Sequence, residues 1–501
     1  MSLYLSLDIG SSGGRAVIAD SSGRRVGTAT RAWRYRHDSD GFYELDTDLM
    51  WASLASASRE AVRTSLARPD AIAAVSVSSQ RTGVVLLDAK GEVLSAGPNS
   101  DARGIGEGIA LEREHGELVY RLAGRLPVFL YLPARLAWFR KNAPAIADRV
   151  AKAFAFSDWA TWRMTGGEAR STEPTQAAEM LAYDLARGSW SDALCDALGT
   201  PRKILPDLVR HATPVGTLTE GAAREFGLHA GTPVVPAGGD TQCAALGMGA
   251  TEPGAVTIVA GTTMPVVQIA ESPLIDPERR IWTSPHAVPG RFMLEANCGE
   301  CGPALDWFLN LLGHGGDYGW LDEASSRSEP GGGGVISIGS GPSRMGDFPL
   351  MRTGGVLFPI PLMALGRQPA DVARASMEGI AYGARQAKAW LSDVGGAASD
   401  VAVCGGVARS LMFTRILASV LDRPVRRASE PQTSGLGGCI VGAAAVGEFR
   451  SVPEAAAAMA DKGDVVVPEP EWTAIYEGLY ASWGEHRARF EQTVARVSDL
   501  A

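Results

Sequence analysis

The order of apolar runs and turns predicts an α/β chain built as two similar units that face each other across a cleft. Three observations carry that expectation. Each half opens with two apolar strands joined by a short Gly/Ser/Thr turn, followed by a third strand and a helix. Each half later returns to a buried strand that runs into two glycines. A chain of 501 residues is also too long for one hydrophobic core, so at least two domains are required.

The first unit reads as follows. Leu3–Leu7 alternates apolar and polar residues as a strand, Gly10–Gly14 turns the chain, and Arg15–Ala19 returns as a second strand. After a turn at Ser21–Gly23, residues Val26–Tyr35 form a third strand. A helix is expected from about Asp48 to Leu66, with Asp46 or Thr47 placed to cap it. A buried strand at Ala71–Val77 and a run at Gly83–Asp88 follow.

The second unit repeats the order. Ala255–Ala260 and Met264–Ile269 flank the turn Gly261–Thr263, and Phe292–Ala296 is a third strand. Pro303 starts a helix at its first turn, where its missing N–H costs nothing. Asp400–Cys404 runs as a strand into Gly405–Gly406, and a helix begins near Ser410. The join falls near Gly247–Gly254, giving domains over 1–247 and 248–501, and Pro330–Gly334 reads as an exposed loop.

Composition narrows the function. The net charge of −9 argues against a nucleic-acid partner, because phosphate backbones select basic surfaces. No apolar run is long enough to span a bilayer, and Asp8 interrupts the only stretch resembling a signal peptide. Six cysteines over this length form no disulfide framework, so a cytoplasmic protein is expected. The pair Cys298 and Cys301 reads as two free thiols, with a redox pair or half a metal site as the alternative. A homodimer is the default assembly for such a chain.

Three local patterns point to chemistry. The two hairpin turns, Gly10-Ser11-Ser12 and Gly261-Thr262-Thr263, offer backbone N–H groups and hydroxyls that can grip a polyphosphate from two sides. Asp8 stands at the first turn, where it either holds Mg²⁺ through water or merely faces solvent. Arg15 reaches the phosphates or is a solvated strand residue. Asp240 follows Gly238–Gly239 at the end of a buried strand, a position where α/β proteins bind ligands; it can equally cap the following helix. The first turn is neither GxxxxGK nor GxGxxG, so it is weak evidence alone.

Six ordered stretches together resemble the FGGY carbohydrate kinases of the actin-like ATPase superfamily. They are LDIGSSGGRAVIAD (7–20), GFYELDTDLMW (41–51), AVSVSSQRTGVVLLDAKGEVL (74–94), PVVPAGGDTQCAALGMG (233–249), IVAGTT (258–263) and VAVCGGVARSLMFTRILASVLDRPV (401–425). The resemblance implies two ribonuclease H-like domains across a catalytic cleft, with ATP and Mg²⁺ as cofactors. It implies Asp240 as the catalytic base and Asp8 as the metal residue. Gly10, Ser11, Ser12, Arg15, Gly261, Thr262 and Thr263 would line the phosphates, with Gly405, Gly406 and Ser410 near the adenosine. Gln80, Arg81, Thr82, Asp101 and Arg103 would bind the sugar, a pentulose such as xylulose or ribulose, or a similar open-chain polyol.

The sugar segment departs from the xylulose kinase pattern. Gln80-Arg81-Thr82 stands where those enzymes usually carry Met-His after the glutamine, and Asn99 replaces a Trp before Asp101 and Arg103. Asn99–Arg103, Ser157–Trp159, Pro273–Glu278, Ser284–Gly290 and Ser343–Met345 are similar to the autoinducer-2 kinase branch, while Gln80-Arg81 also resembles glycerol kinases. A nucleotide switch or sugar sensor of the same superfamily is the rival class, and it would not need an acid after Gly238–Gly239.

Overall fold

The computed structural model describes residues 2–37, 42–338, 340–342, 355–358 and 366–498. Gly41 and the Ser343–Met345 loop lie outside the described residues. The first sheet contains β1 (Leu3–Ile9), β2 (Gly13–Asp20) and β3 (Arg25–Ala32), followed by the helix α1 (Thr47–Ser65) and the strand β4 (Ile72–Ser79). A small sheet of β5 (Val84–Leu87), β6 (Val93–Gly97) and β7 (Lys152–Ala155) stands beside it. β8 (Gly216–Thr217) and β9 (Pro233–Gly239) complete the first sheet, and α2 (Asp240–Gly247) leaves from the end of β9.

The second sheet contains β10 (Ala255–Val259), β11 (Thr263–Ala270), β12 (Trp282–Pro285) and β13 (Phe292–Glu300), followed by the helices α3 (Gly302–Leu311) and α4 (Pro369–Gly395). β14 (Asp400–Cys404), α5 (Leu411–Leu421), β15 (Val425–Arg427), α6 (Thr433–Ala445), β16 (Asp464–Val466) and α7 (Pro470–Ser498) finish the chain. The strand orders are β8-β9-β4-β1-β2-β3 and β12-β13-β11-β10-β14-β15-β16. In both, an antiparallel hairpin meets a parallel partner along its first strand: β1 pairs with β4, and β10 with β14. The expected repetition of one α/β plan is therefore present.

Local chemistry explains the elements that were expected. Asp46 caps α1, its carboxylate accepting from the Asp48 and Leu49 amides at 3.0 and 3.1 Å. Met50, Trp51, Leu54, Ala57 and Ala61 then face Leu5, Leu7, Ile9 and Ile18 in one buried cluster. In the second unit α4 and α5 bury Met377, Ile380, Phe413 and Ile416 against Val256, Ile258, Val266 and Leu294.

Two expectations change. The apolar/polar alternation of Leu3–Leu7 suggests one wet face, yet Tyr4 and Ser6 are buried as fully as Leu5. The cover is α6, a glycine-rich helix from far along the chain. A Cβ on Gly438 would lie 2.1 Å from Ser6 Oγ, so the small residues on both sides permit backbone-close packing. Pro330–Gly334 is not an exposed loop either. Gly332 is buried against the start of α4, and the Gly331 amide donates to Glu378 Oε1 at 3.0 Å.

α2 and α6 lie against each other between the two sheets. A Cβ on Gly437 would meet the Cys243 carbonyl at 1.9 Å, and one on Gly247 would meet that of Thr433 at 2.1 Å. On the far side, Ala244 and Met248 pack with Ala402 and Cys404 of β14. This helix pair places the end of β9, and with it Asp240, where the two halves meet. No helix among the described residues is long and apolar enough to cross a membrane.

Candidate active site

The first turn is a tight hairpin in which the Gly10 amide donates to the Gly13 carbonyl at 3.0 Å. Ser11 is half-buried and Ser12 exposed, as a ligand-gripping turn requires. Asp8 at its base does not face solvent; it is fully buried. Its Oδ1 accepts from Ser78 Oγ at 3.0 Å, and its Oδ2 from Ser434 Oγ at 2.7 Å and Arg15 Nη1 at 3.1 Å. Ser434 comes from α6 and was not legible as a site residue. Arg15 is more than a solvated strand residue, because it supplies the cation that Asp8 pairs with.

Asp240 is the first residue of α2, while Gly239 occupies the cap position. Its Oδ1 accepts from its neighbour Thr241, from the amide at 2.7 Å and the hydroxyl at 3.2 Å. Asp240 is thus not the capping residue, and the residue as a whole is only partly buried. Burial pushes its pKa up to about 6; the Arg81 charge opposes this, and the Asp8 charge adds to it. The sequence alone suggests an ordinary Asp, fully ionised at neutral pH. The structure makes it a carboxylate poised near neutrality.

The residues that the sequence offers as sugar-binding candidates gather around the end of β4. Gln80 is fully buried; its Oε1 accepts from the Asn99 amide at 3.1 Å, and its Nε2 donates to Tyr35 Oη at 3.4 Å. Asn99 Nδ2 donates to Ser11 Oγ at 3.2 Å, joining these residues to the first hairpin turn. Arg81 makes a two-pronged ion pair with Glu295 of β13, one prong at 2.8 Å. Burial disfavours the Arg81 charge, but Glu295, with Glu179 and Asp240 nearby, more than offsets this and raises its pKa. Thr82 holds the left-handed conformation at φ 60°, uncommon for a β-branched residue, and its carbonyl accepts from Arg135 at 2.8 Å.

Asp101 and Arg103 are committed to each other. Arg103 Nε donates to both Asp101 oxygens at 2.8 and 3.0 Å, and its Nη2 to Glu44 Oε1 at 2.6 Å. Its guanidinium also lies 5.2–5.5 Å from the ring centroids of Phe42, Trp138 and Phe139. They build the wall of this region. Glu295 and Glu179, the carboxylates around Arg81, are not legible in the sequence because each comes near Arg81 only once the chain has folded.

On the second half, the Gly261 amide closes its turn on the Thr263 carbonyl at 3.1 Å, leaving Thr262 and Thr263 exposed. Gly405 takes φ +97°, and a Cβ there would lie 2.4 Å from the Ala260 carbonyl. Only glycine lets the end of β14 close on this second turn. Gly405 also lines a cavity of about 260 Å³ with Ala408, Arg409, Arg427, Ser429 and Pro431, while Gly406 faces open space. Ser410 caps α5, accepting from the Phe413 amide at 2.8 Å and donating to Asp322. Cys298 and Cys301 are free and buried; burial raises both thiols, Cys301 up to about 12, so neither forms thiolate at neutral pH. No cluster of three His, Cys, Asp or Glu suited to a metal occurs among the described residues.

Residues 3–247 match the N-terminal domain of the FGGY family of carbohydrate kinases, and residues 256–446 match its C-terminal domain. The chain belongs to the FGGY family of carbohydrate kinases. Among relatives, this kinase is 28% identical over 508 residues to the autoinducer-2 kinase of Escherichia coli K12, covering 96% of this chain and 93% of that one. Its fold matches the crystal structure of a xylulose kinase from Rhodospirillum rubrum with a TM-score of 0.85 at 24% identity, over 98% and 99% of the two chains. It also matches a gluconate kinase from Lactobacillus acidophilus with a TM-score of 0.86 at 19% identity, over 97% and 98%. Kinases named for different sugars share this fold, so the fold alone does not choose the sugar.

Proposed function

We propose that this carbohydrate kinase transfers the γ-phosphate of ATP to a hydroxyl of a small open-chain sugar, most naturally a pentulose such as xylulose. The supporting observation is the Asp240 carboxylate at the strand end where the two halves meet, under the charges of Arg81 and Asp8 and with its pKa lifted by burial to about 6. Such a group is ionised at neutral pH and basic enough to take a proton from an attacking hydroxyl. Phosphoryl transfer otherwise rests on alignment and charge neutralisation. In this reading residues 1–247 carry the sugar and the first phosphate turn, and residues 248–501 carry the second turn and the adenosine. Gln80, Arg81, Thr82, Asp101 and Arg103 shape the sugar pocket, and Arg81, between Glu295 and Asp240, is the donor best placed to meet it.

The donor set fits ATP and Mg²⁺. Exposed Ser12, Thr262 and Thr263 offer hydroxyls to phosphates, and the Gly405 cavity has room for an adenosine. Asp8 supplies carboxylate oxygen, the donor Mg²⁺ prefers, flanked by the hydroxyls of Ser78 and Ser434 and by the Arg15 guanidinium, and it would hold the ion through water once Arg15 turns away. When bound, the ion neutralises phosphate charge. Arg15, about one-third exposed, is free to turn from Asp8 towards the phosphates.

A second reading is phosphorylation of the linear autoinducer-2 precursor. It is favoured by the near-full-length similarity to the Escherichia coli enzyme and by Asn99, whose polar amide contacts Ser11 where a Trp would give an apolar wall. ADP release measured over ketopentoses, polyols, gluconate and the autoinducer-2 precursor tests both. Turnover independent of any sugar would sink the kinase reading of Asp240.

A further inference from the structure

We propose that Glu173 and Thr175 are positioning residues that set where the Asp240 carboxylate sits. The inference rests on Asp240 being the base. It starts at Gly238–Gly239, where the pairing of β9 with β4 slips its register between Pro236 and Gly238. Gly238 takes φ +111°, and a Cβ there would lie 2.6 Å from Thr175 Oγ1 and 3.3 Å from Glu173 Oε1. The turn that delivers Asp240 is therefore pressed directly onto these two side chains, and only glycine fits both the space and the φ angle.

Hydrogen bonding gives this contact a direction. The Gly239 amide donates to Thr175 Oγ1 at 2.8 Å, and Thr175 Oγ1 donates to Glu173 Oε1 at 2.5 Å. Glu173 also accepts from the Thr175 and Gln176 amides at 2.9 and 2.8 Å, and His211 Nδ1 lies 3.0 Å from its Oε2. Burial works against the Glu173 charge, but His211 and Thr175 outweigh it and hold the carboxyl below its usual range. An ionised carboxylate only accepts. It therefore draws the Thr175 proton towards itself and leaves a Thr175 lone pair for the Gly239 amide. The adjacent Gln176 Nε2 donates to Ser79 Oγ at 2.9 Å, just before Gln80 and Arg81. One short segment thus holds both strand ends that carry the site.

The test uses the full-length chain with Thr175→Val, Thr175→Ser and Glu173→Gln. Valine keeps the shape of threonine without its hydroxyl; serine keeps the hydroxyl. Misplacing a base by about 1 Å costs up to ~10²-fold, so Thr175→Val is expected to lower kcat by roughly 10- to 100-fold. The KM for ATP should stay within about twofold, and Thr175→Ser should remain within about threefold of the parent. Amide hydrogen exchange over the peptide containing Gly239 is expected to speed up in Thr175→Val and not in Thr175→Ser. A purely packing role would change neither kcat nor that exchange in folded protein. Should Thr175→Val fail to fold, Glu173→Gln, which disturbs the same relay by adding a donor, is expected to lower kcat while exchange rises. Unchanged kcat and exchange overturn the proposal. Asp240→Asn run in parallel separates the readings: loss of turnover there with Thr175→Val unimpaired overturns the relay alone, and retained turnover overturns the base and the relay together.

Discussion

Replacing Asp240 with Asn keeps the Oδ1 acceptor for the Thr241 amide but removes the charge, so it isolates what that charge does. With a pKa of about 6, the carboxyl is about nine-tenths protonated at pH 5, and turnover at saturating substrate is expected to fall about tenfold between pH 7 and pH 5. An Asp with the ordinary value near ~3.9 would stay more than about nine-tenths ionised at pH 5 and give an almost flat profile. The Asn variant should lose ~10²-fold or more in kcat at pH 7, the scale of a general base. Stability moves the other way. The folded-state pKa lies above the unfolded value of 3.8, so the native chain binds the extra proton between those two values. Stability therefore declines as pH rises through that window, and the penalty is fully present above about pH 6. A rise from 3.8 to about 6 corresponds to no more than roughly 3 kcal/mol. Asp240→Asn is thus expected to melt above the parent at pH 8 and level with it at pH 4. Coupled ADP release from pH 5 to 8, with melting curves at both extremes, checks the two halves. A flat parent profile from pH 7 to pH 5 would refute the raised pKa, and full activity of the variant would refute the base.

Asp8→Ala is expected to raise the Mg²⁺ concentration for half-maximal rate and lower the maximum, and an unchanged titration would count against Asp8 as the metal residue. Arg81→Gln leaves Glu295 buried without its cation and should cost about 3–5 kcal/mol in a denaturant melt; Arg81→Gln/Glu295→Gln together should recover much of it. Sugar plus a non-hydrolysable ATP analogue should shrink the radius of gyration in solution scattering, because two halves gripping one triphosphate must open to exchange it. Among substrates, a site of hydrogen-bonding groups should separate the best from the rest by large factors in kcat/KM. A hexose or glycerol ahead of xylulose, ribulose and the autoinducer-2 precursor by tenfold would overturn the pocket reading and leave the kinase standing.

Much of the fold was legible because its signals are local. Asp46 three residues before an apolar-periodic run, Pro303 in a first turn, and Gly/Ser/Thr between apolar strands each act within a few positions, and each element forms where its own neighbours dictate. The two turns, Asp8, Asp240 and Gly405 were legible for the same reason. The unread part consists of pairs made by folding alone. Ser434 reaches Asp8 across 426 positions, Glu295 reaches Arg81 across 214, and Thr175 reaches Gly239 across 64. The buried outer face of β1 was hidden likewise: Tyr4 and Ser6 look like an exposed face until α6 covers them.

These long-range pairs also explain why a single side chain resists assignment from its own segment. Arg81 reads as a free sugar donor beside Gln80, yet the folded chain gives it a two-pronged partner on the opposite half. The predicted widening of the cleft would have to part that pair. Breaking it wets Glu295, so the loss of a dry ion pair is offset by two hydrated charges, and the net cost of opening stays small. On the proposed reading, closing the cleft over a sugar would restore the Glu295 pair and so orient the Arg81 guanidinium towards the substrate, beside Asp240. On that reading the contact between the halves and the recognition of substrate would depend on the same residue.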